Sequence, residues 1–378
     1  MSHPEKPSFE MTFNVGPSQL GPGVADDIRE ALQTGVCSIS HRSQRFIEFY
    51  RKARTEVFRY FSLPPDWDIY FVGTGSEAME TATRGLIAKR SSHHVCGSFS
   101  KRAHMFAEMI GRDAILFEKP DMDGFHGQPD ALPAGTDCVF FTKTETATGV
   151  QTSWDYIRAV RDRHPDVTIV CDVVSATPCE PLSPELADLY FFSVQKGVGL
   201  PSGLGVILCS PKALAKAKDL QKRDLDVGAN HSLPLLDKYA KQDYNHDTPN
   251  VLGIFLLGRA FERFNQRGLD TIRRESRDKA ARLYAWLEKS EIYFPAVPNS
   301  ALRSENAVGV KWRFGLAEAN VLAPVRASHF ETGVGYGALR GSMIRIANFP
   351  VHTLKDHERL ISALEMVRVP ERTGRVSP

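Results

Sequence analysis

Residues 187–205 read ADLYFFSVQKGVGLPSGLG. Leu189 to Val194 form a short apolar run, the pattern of a strand buried on both faces. The run stops at Gln195-Lys196 and opens into Gly197, Gly199, Pro201, Gly203 and Gly205. The strand fixes the lysine's backbone, and the glycines let another group come close. A lysine drawn partly out of water there loses solvation of its charged form. Its pKa falls and the amine becomes a nucleophile. The competing reading is a tight turn carrying a solvated lysine.

A second apolar run lies upstream. Residues 167–175, VTIVCDVVS, carry one carboxylate, Asp172, near their C-terminal end. An ionised carboxylate in such a strand is costly unless a cation or strong donor meets it. Alone it reads equally as a helix cap or a strand-end ion pair. Paired with Lys196 it gives the order that a pyridoxal 5'-phosphate (PLP) site requires: an acid for the pyridinium nitrogen, then a lysine for the aldehyde.

Other polar groups fall where strands give way to turns. DIYFVG (68–73) reads as a strand, followed by Gly73-Thr74-Gly75-Ser76-Glu77 and the helix AMETATRGLIAK. A glycine-rich turn running into a helix N-terminus offers free amides and a positive dipole end to a phosphate. It is neither a Walker A loop nor a full GxGxxG fingerprint. The segment VCGSFSKRAHMFAEMIG starts as strand and turns helical after Gly97. That puts Phe99 at the turn, where an aromatic ring serves either a flat cofactor or the core. CVFFT (138–142) leads into Lys143-Thr144-Glu145-Thr146, so Thr146, Asp172 and Lys196 share the rim at which open α/β sheets bind ligands. Near the start, Ser40-His41-Arg42-Ser43 sits on a short connection. Its two potential cations suit an anion, or else decorate a helix start.

Strands alternate with helices over roughly 70–210, which predicts an α/β fold with a mostly parallel, doubly covered sheet. Residues 219–250 are polar and read as an irregular arm or lid, ending at Asp247-Thr248-Pro249. Pro249 suits the start of the long helix VLGIFLLGRAFERFNQRG, with Thr248 as its cap. Beyond it come the amphipathic helix RRESRDKAARLYAWLEKS, strand-like IYFP, AVGVKWRF and MIRIANF, and the helix DHERLISALEMV. A large domain over 14–262 and a smaller α/β domain over 263–378 are expected, with residues 1–13 packed near the smaller one. Arg345 lies inside MIRIA, so it wants an anion or a structural ion-pair partner.

Composition sets the class. The chain has 378 residues, 42% of them hydrophobic and 24% charged, which suits a globular protein with a sizeable core. A net charge of +2 gives no general pull toward nucleic acid or membranes. Its six cysteines form no CxxC pair, so buried reduced thiols are expected, and no metal site. The opening MSHPEKPSFEM reads as a frayed start without a secretory signal, and RVPERTGRVSP as a disordered tail. No apolar run approaches the ~20 residues of a membrane span, so a cytoplasmic enzyme is expected.

The sequence resembles the fold-type I, class V PLP-dependent aminotransferases, and within them those acting on phosphoserine. The resemblance runs from FNVGPSQL to SMIRIAN. Its most specific pieces are Asn14-Val15-Gly16-Pro17, Ser40-His41-Arg42-Ser43, Thr144-Glu145-Thr146 with Gly149, Ser193-Val194-Gln195-Lys196-Gly197-Val198-Gly199, and Asp247-Thr248-Pro249. It implies that Lys196 links to the PLP aldehyde and shuttles the substrate proton, and that Asp172 keeps the ring nitrogen protonated. It implies that Phe99, usually Trp in the family, stacks on the ring and Thr146 bonds the ring hydroxyl. Gly75, Ser76 and Gln195 would hold the cofactor phosphate. Thr248, with Asp247, would reach the phosphate of the other subunit's cofactor, making a homodimer with shared sites. Arg345 would grip the substrate α-carboxylate, and His41 and Arg42 its distal phosphate. The implied reaction is transamination between O-phospho-L-serine and 2-oxoglutarate in serine biosynthesis.

Two departures stand out. The family usually has Asn where Asp247 stands, and an acid beside a phosphate must turn away or be protonated. The family's His-Arg pair before the carboxylate-binding arginine is absent, and GVGYGALRGSMIR offers Tyr336 and Arg340 instead. The nearest rival is a class V aminotransferase acting on alanine, serine or glyoxylate. A desulfurase of the same fold would need a mobile loop cysteine with a basic neighbour. A binding protein without turnover would have no need of the Lys196–Asp172 pair.

Overall fold

The computed structural model describes residues 9–226 and 230–369. The parts of the frayed start and disordered tail expected at 1–8 and 370–378 lie outside the described residues, as do residues 227–229 of the expected arm.

Seven strands make the larger sheet, in the order Asp68–Val72, Gly205–Cys209, Leu189–Ser193, Thr168–Asp172, Cys138–Thr142, Arg90–Val95, Asp113–Glu118. Gly205–Cys209 runs antiparallel to both its neighbours. The other pairings are parallel. This is the mostly parallel α/β sheet that the alternation predicts. Its register aligns Thr142 with Asp172 and Asp172 with Phe191, so the turns that follow these strands open on one rim. Continuous apolar composition fits the central strands: all five residues of LYFFS and of TIVCD are buried.

Helices cover both faces. Gln44–Phe61 buries Phe46, Tyr50, Ala53, Val57, Tyr60 and Phe61, the three-and-four spacing of one helical face. It packs on Val251–Arg267, where Gly258 sits against Ala53 closely enough that a Cβ would lie 3.3 Å from its backbone nitrogen. Phe261 and Phe264 of that helix belong to the main core. A second cluster, around Phe13, Leu283, Trp286, Val308, Phe330 and Ile344, lies on a five-stranded sheet. That sheet runs Met11–Phe13, Phe330–Val334, Ile344–Ala347, Ala307–Trp312, Tyr293–Pro295. Met11 is thus a strand residue rather than part of a frayed start. It pairs in parallel with Phe330.

Several expectations need correction. The stretch 219–250 is not wholly irregular: Pro211–Lys222 runs into it as helix, and Leu233–Ala240 is a helix capped by Ser232 with Pro234 in its first turn. Prolines and scattered charge hide that helix from a periodicity reading. Thr248 does not cap the long helix. Asn250 does, its side chain accepting from Gly253 N–H at 2.8 Å. Helix Glu318–Ala327 and strand Phe330–Val334 are not evident from the sequence, since Pro324 and Gly333 interrupt their patterns.

Strand Arg90–Val95, RSSHHV, was read only at its end because its composition is polar. Tertiary packing overrides composition here. His93 stacks on Phe140 with ring centroids 4.8 Å apart, and His94 on Phe117 at 5.2 Å, so neutral imidazoles serve as flat core surface. Burial pulls both pKa values to about 3. It pulls His352 to about 3 and His357 to about 4 in the smaller core. In the unfolded chain each takes up a proton near pH 6.5. The unfolded state therefore binds more protons below that pH, and stability falls as pH drops from about 6.5 toward 4, by about 1.4 kcal/mol per histidine per pH unit. Urea midpoints measured from pH 7.5 to 4.5 should fall steeply below pH 6. His94→Phe should make that fall shallower.

Candidate active site

Lys196 lies in the connection that folds Leu189–Ser193 back onto Gly205–Cys209. Glycines let three segments converge there. A Cβ on Gly197 would lie 2.3 Å from Thr177 O, and Gly199, at φ +71°, would put one 2.8 Å from Gly21 N. Ser18 N–H donates to Gln195 O at 2.9 Å, and Ser18 Oγ–H to Lys196 O at 2.6 Å. The N-terminal segment thus clamps the lysine turn from outside.

The Lys196 amine donates to Thr146 Oγ1 at 2.9 Å and to Ser175 Oγ at 3.1 Å. These two hydroxyls are themselves 2.5 Å apart. Burial lowers the lysine's pKa to about 8, with Asp172 opposing and Arg345 adding to the fall. Asp172 shifts the other way. Burial raises its pKa to about 7, while Val174 N–H, donating to Oδ1 at 2.8 Å, and Lys196 hold it down. Both groups are driven toward their neutral forms, and no ion pair reaches Asp172 among the described residues. That carboxylate is short of a cation.

Helix Gly75–Leu86 opens onto the same cavity. Its cap, Thr74, takes the N–H of Glu77 at 3.0 Å, while the carbonyl of Thr74 takes that of Ala78. Gly75 and Ser76 N–H are left as the free donors of the first turn. The helix starts three residues earlier than the sequence suggests, which puts these two residues in its first turn at the cavity wall. A Cβ on Gly75 would meet Ser193 Oγ at 3.0 Å.

Phe99 sits in the first turn of helix Ser98–Met109, its ring centroid 5.1 Å from the Lys196 amine. Buried Glu145 secures that turn. It accepts from Phe99 N–H at 3.1 Å, Ser100 N–H at 2.9 Å, Ser100 Oγ–H at 2.9 Å and Ala147 N–H at 3.0 Å. Four donors and a helix N-terminus satisfy a carboxylate that is fully buried.

Arg345 arrives from the smaller sheet. Its strand neighbours at the same level are Gly309 and Gly333, which leave room for its side chain. Nε donates to Val334 O at 2.9 Å and Nη1 to Thr146 O at 3.0 Å. No carboxylate pairs with it among the described residues, and burial depresses its pKa. A buried guanidinium held only by carbonyls retains donors for an anion.

The cavity between these groups has a volume of about 430 Å³, with Thr74, Gly75, Ser76, Phe99, Arg102, Thr146, Asp172, Gln195 and Lys196 in its walls. Four sequence candidates lie elsewhere in their own chain. Asp247 and Thr248 line a separate cavity of about 220 Å³ with Gly203 and Asn245. Asp247 stands 3.4 Å from His231 Nε2, which also meets Glu77 Oε1 at 2.9 Å. His41 and Arg42 stand on the turn before Gln44–Phe61, with Arg42 exposed and His41 Nε2 lacking a partner. Two polar side chains at the site are not expected from the sequence: Ser175, three residues past Asp172, which bonds the Lys196 amine, and Arg102, in the cavity wall one helical turn past Phe99. That i, i+3 spacing was the available signal for Arg102.

Residues 11–322 match the model of the family described as aminotransferase class-V. A phosphoserine aminotransferase of Rhodococcus opacus (strain B4) is 27% identical over 364 residues, covering 94% of each chain. The crystal structure of a phosphoserine aminotransferase from Cytophaga hutchinsonii is 31% identical. It superposes with a TM-score of 0.92, covering 98% of this chain and 100% of that one. An aspartate aminotransferase from Thermus thermophilus is similar at a TM-score of 0.82 and 21% identity, covering 95% of this chain and 100% of that one, a likeness of fold alone.

Proposed function

This chain belongs to the class-V aminotransferase family, and we propose on that premise that it transfers the amino group between O-phospho-L-serine and 2-oxoglutarate, yielding 3-phosphohydroxypyruvate and glutamate. Its cofactor is PLP, and the cavity fits that group. Asp172 lacks a cation that a pyridinium nitrogen would provide, Gly75 and Ser76 present free amides suited to a phosphate, and Lys196 presents a depressed-pKa amine. Bound, PLP supplies an aldehyde for amines and a ring that withdraws electrons from the bond at the substrate's Cα.

The chain's own residues do the rest. Asp172 would hold the proton on the ring nitrogen. Thr146 and Ser175 orient the Lys196 amine, which in its neutral form would take the Cα proton and deliver it to the cofactor's C4′ carbon. Phe99 would pack on the ring, and Gln195 would join the phosphate contacts. Arg345 holds the substrate carboxylate and so aims the Cα bond at Lys196. Thr248, with Asp247, would reach the cofactor phosphate of a second copy in a homodimer, and His41 and Arg42 would contact the substrate's distal phosphate. Serine synthesis in the cytoplasm is the setting of this reading.

The observation that carries the substrate choice is the likeness to phosphoserine aminotransferases along nearly the whole chain. A desulfurase-type reaction is disfavoured. Five of the six cysteines are buried, with burial pushing their thiol pKa values up, and Cys37 lines neither cavity described here. The test compares phosphoserine, serine and alanine as amino donors to 2-oxoglutarate. Phosphoserine should exceed the other two in kcat/KM by at least about 100-fold, the worth of a charge-assisted phosphate contact or two. Preference for alanine or serine would assign the chain to the rival substrate class.

A further inference from the structure

Arg102 is a cation in the cavity that no part of the preceding reading uses. It stands on helix Ser98–Met109, half-buried, one turn beyond Phe99. Its guanidinium lies 5.2 Å from the centroid of the Phe99 ring. Nη1 donates to Ser76 Oγ at 2.9 Å, and Nη2 reaches toward Tyr336 OH at 3.5 Å. No carboxylate pairs with it among the described residues. An arginine facing a cavity with only hydroxyls and an aromatic face as partners keeps most of its five donors for an anion.

The position of Tyr336 gives that anion a direction. Its ring is 5.2 Å from the Phe99 ring and 5.7 Å from the guanidinium carbon of Arg345. Tyr336 therefore meets two guanidinia. Arg345, buried and tied to Thr146 O, lies over its ring, and Arg102, tied to Ser76, reaches its hydroxyl. A substrate with two anionic ends suits such a pair. A free α-carboxylate takes one guanidinium and the far end takes the other. Arg102 is anchored through Nη1 toward the helix end at Ser76. Its Nη2 edge turns toward Tyr336, the residue it shares with Arg345.

We infer that Arg102 is a specificity-determining residue that binds the distal anion of a dianionic amino-acid substrate, a phosphate monoester or a side-chain carboxylate, opposite Arg345. This rests on the phosphoserine reading for the phosphate and on glutamate as the second amino donor for the carboxylate. It gives the cavity an anion contact from its own chain where the sequence offered only Tyr336 and Arg340 in place of a His-Arg pair.

The experiment uses PLP-loaded wild type, Arg102→Ala and Arg102→Lys. Dissociation constants are read from the cofactor's absorbance for two matched pairs: phosphoserine against serine, and glutamate against glutamine. Retention of PLP itself is titrated in parallel. The preference for the charged member of a pair should fall roughly 10- to 100-fold in Arg102→Ala, the range of a lost charge-assisted contact, and recover in part in Arg102→Lys. A fall confined to the phosphoserine pair identifies the phosphate as the anion. A fall confined to the glutamate pair identifies the carboxylate. Unchanged preferences in both pairs overturn the inference, whether or not PLP affinity drops. A drop in PLP affinity alone would make Arg102 a ligand of the cofactor's phosphate. If the wild type shows no preference for phosphoserine over serine, the substrate reading fails by itself, and the glutamate pair still decides the role of Arg102.

Discussion

Lys196→Ala should lower kcat/KM by roughly 10³-fold or more while leaving the fold intact. General acid–base transfer by a positioned group contributes about 10²–10⁴-fold, and this side chain combines that role with cofactor attachment. The amine is suited to both. Burial brings its pKa to about 8, so a usable fraction is neutral near pH 7 to 8, and two hydroxyls fix its direction. Lys279 shows why a depressed pKa alone does not identify such a residue. Burial takes it to about 8 as well, but its amine is spent on Phe349 O at 2.9 Å and His352 O at 2.8 Å, a structural clamp. Turnover assays with phosphoserine, together with circular dichroism, check the prediction. Arg in place of Lys196 should not rescue activity, because a guanidinium stays protonated.

Asp172→Asn carries the second large effect. Removing one partner from a buried charged pair costs about 3–5 kcal/mol, or roughly 10²–10⁴-fold in rate if the loss is felt in the transition state. An amide of the same shape keeps the bond from Val174 N–H but cannot hold a proton on the ring nitrogen. The substitution also removes the acid that opposes burial at Lys196, so the lysine's pKa should move below its present value of about 8. The acid limb of the pH–kcat/KM profile should shift to lower pH while the plateau falls. A lower plateau with an unmoved acid limb would mean that Asp172 acts on the cofactor without influencing Lys196.

The parts of this molecule that were legible in the sequence are those where one physical demand dominates. Buried parallel strands need unbroken apolar runs, so LYFFS and TIVCD were readable, and the polar residues ending them fell on one rim. Glycines at 197 and 199 announced close approach because a side chain there would strike neighbouring backbone. The illegible parts are where tertiary context outweighs composition. RSSHHV is a buried strand because neutral histidines stack on Phe117 and Phe140, which no alternation pattern reveals. Leu233–Ala240 is a helix despite its proline because that proline falls in the first turn. Ser175 meets Lys196 only through a bend after the Asp172 strand. Arg345 comes to Thr146, in the cavity wall, only because the smaller sheet packs its Gly309–Arg345–Gly333 row beside the turn after Thr144–Glu145. His41, Arg42, Asp247 and Thr248 were readable as polar turns, but within the chain they stand outside the walls of the Lys196 cavity.

The decisive measurement is chemical capture of the amine. Protein loaded with PLP is reduced with borohydride, digested and mapped by mass spectrometry. A single labelled peptide carrying the modification on Lys196, with loss of activity in proportion to labelling, is the expected result. Label on Lys143, on Lys279 or spread across surface lysines, with Lys196 unmodified, would contradict it.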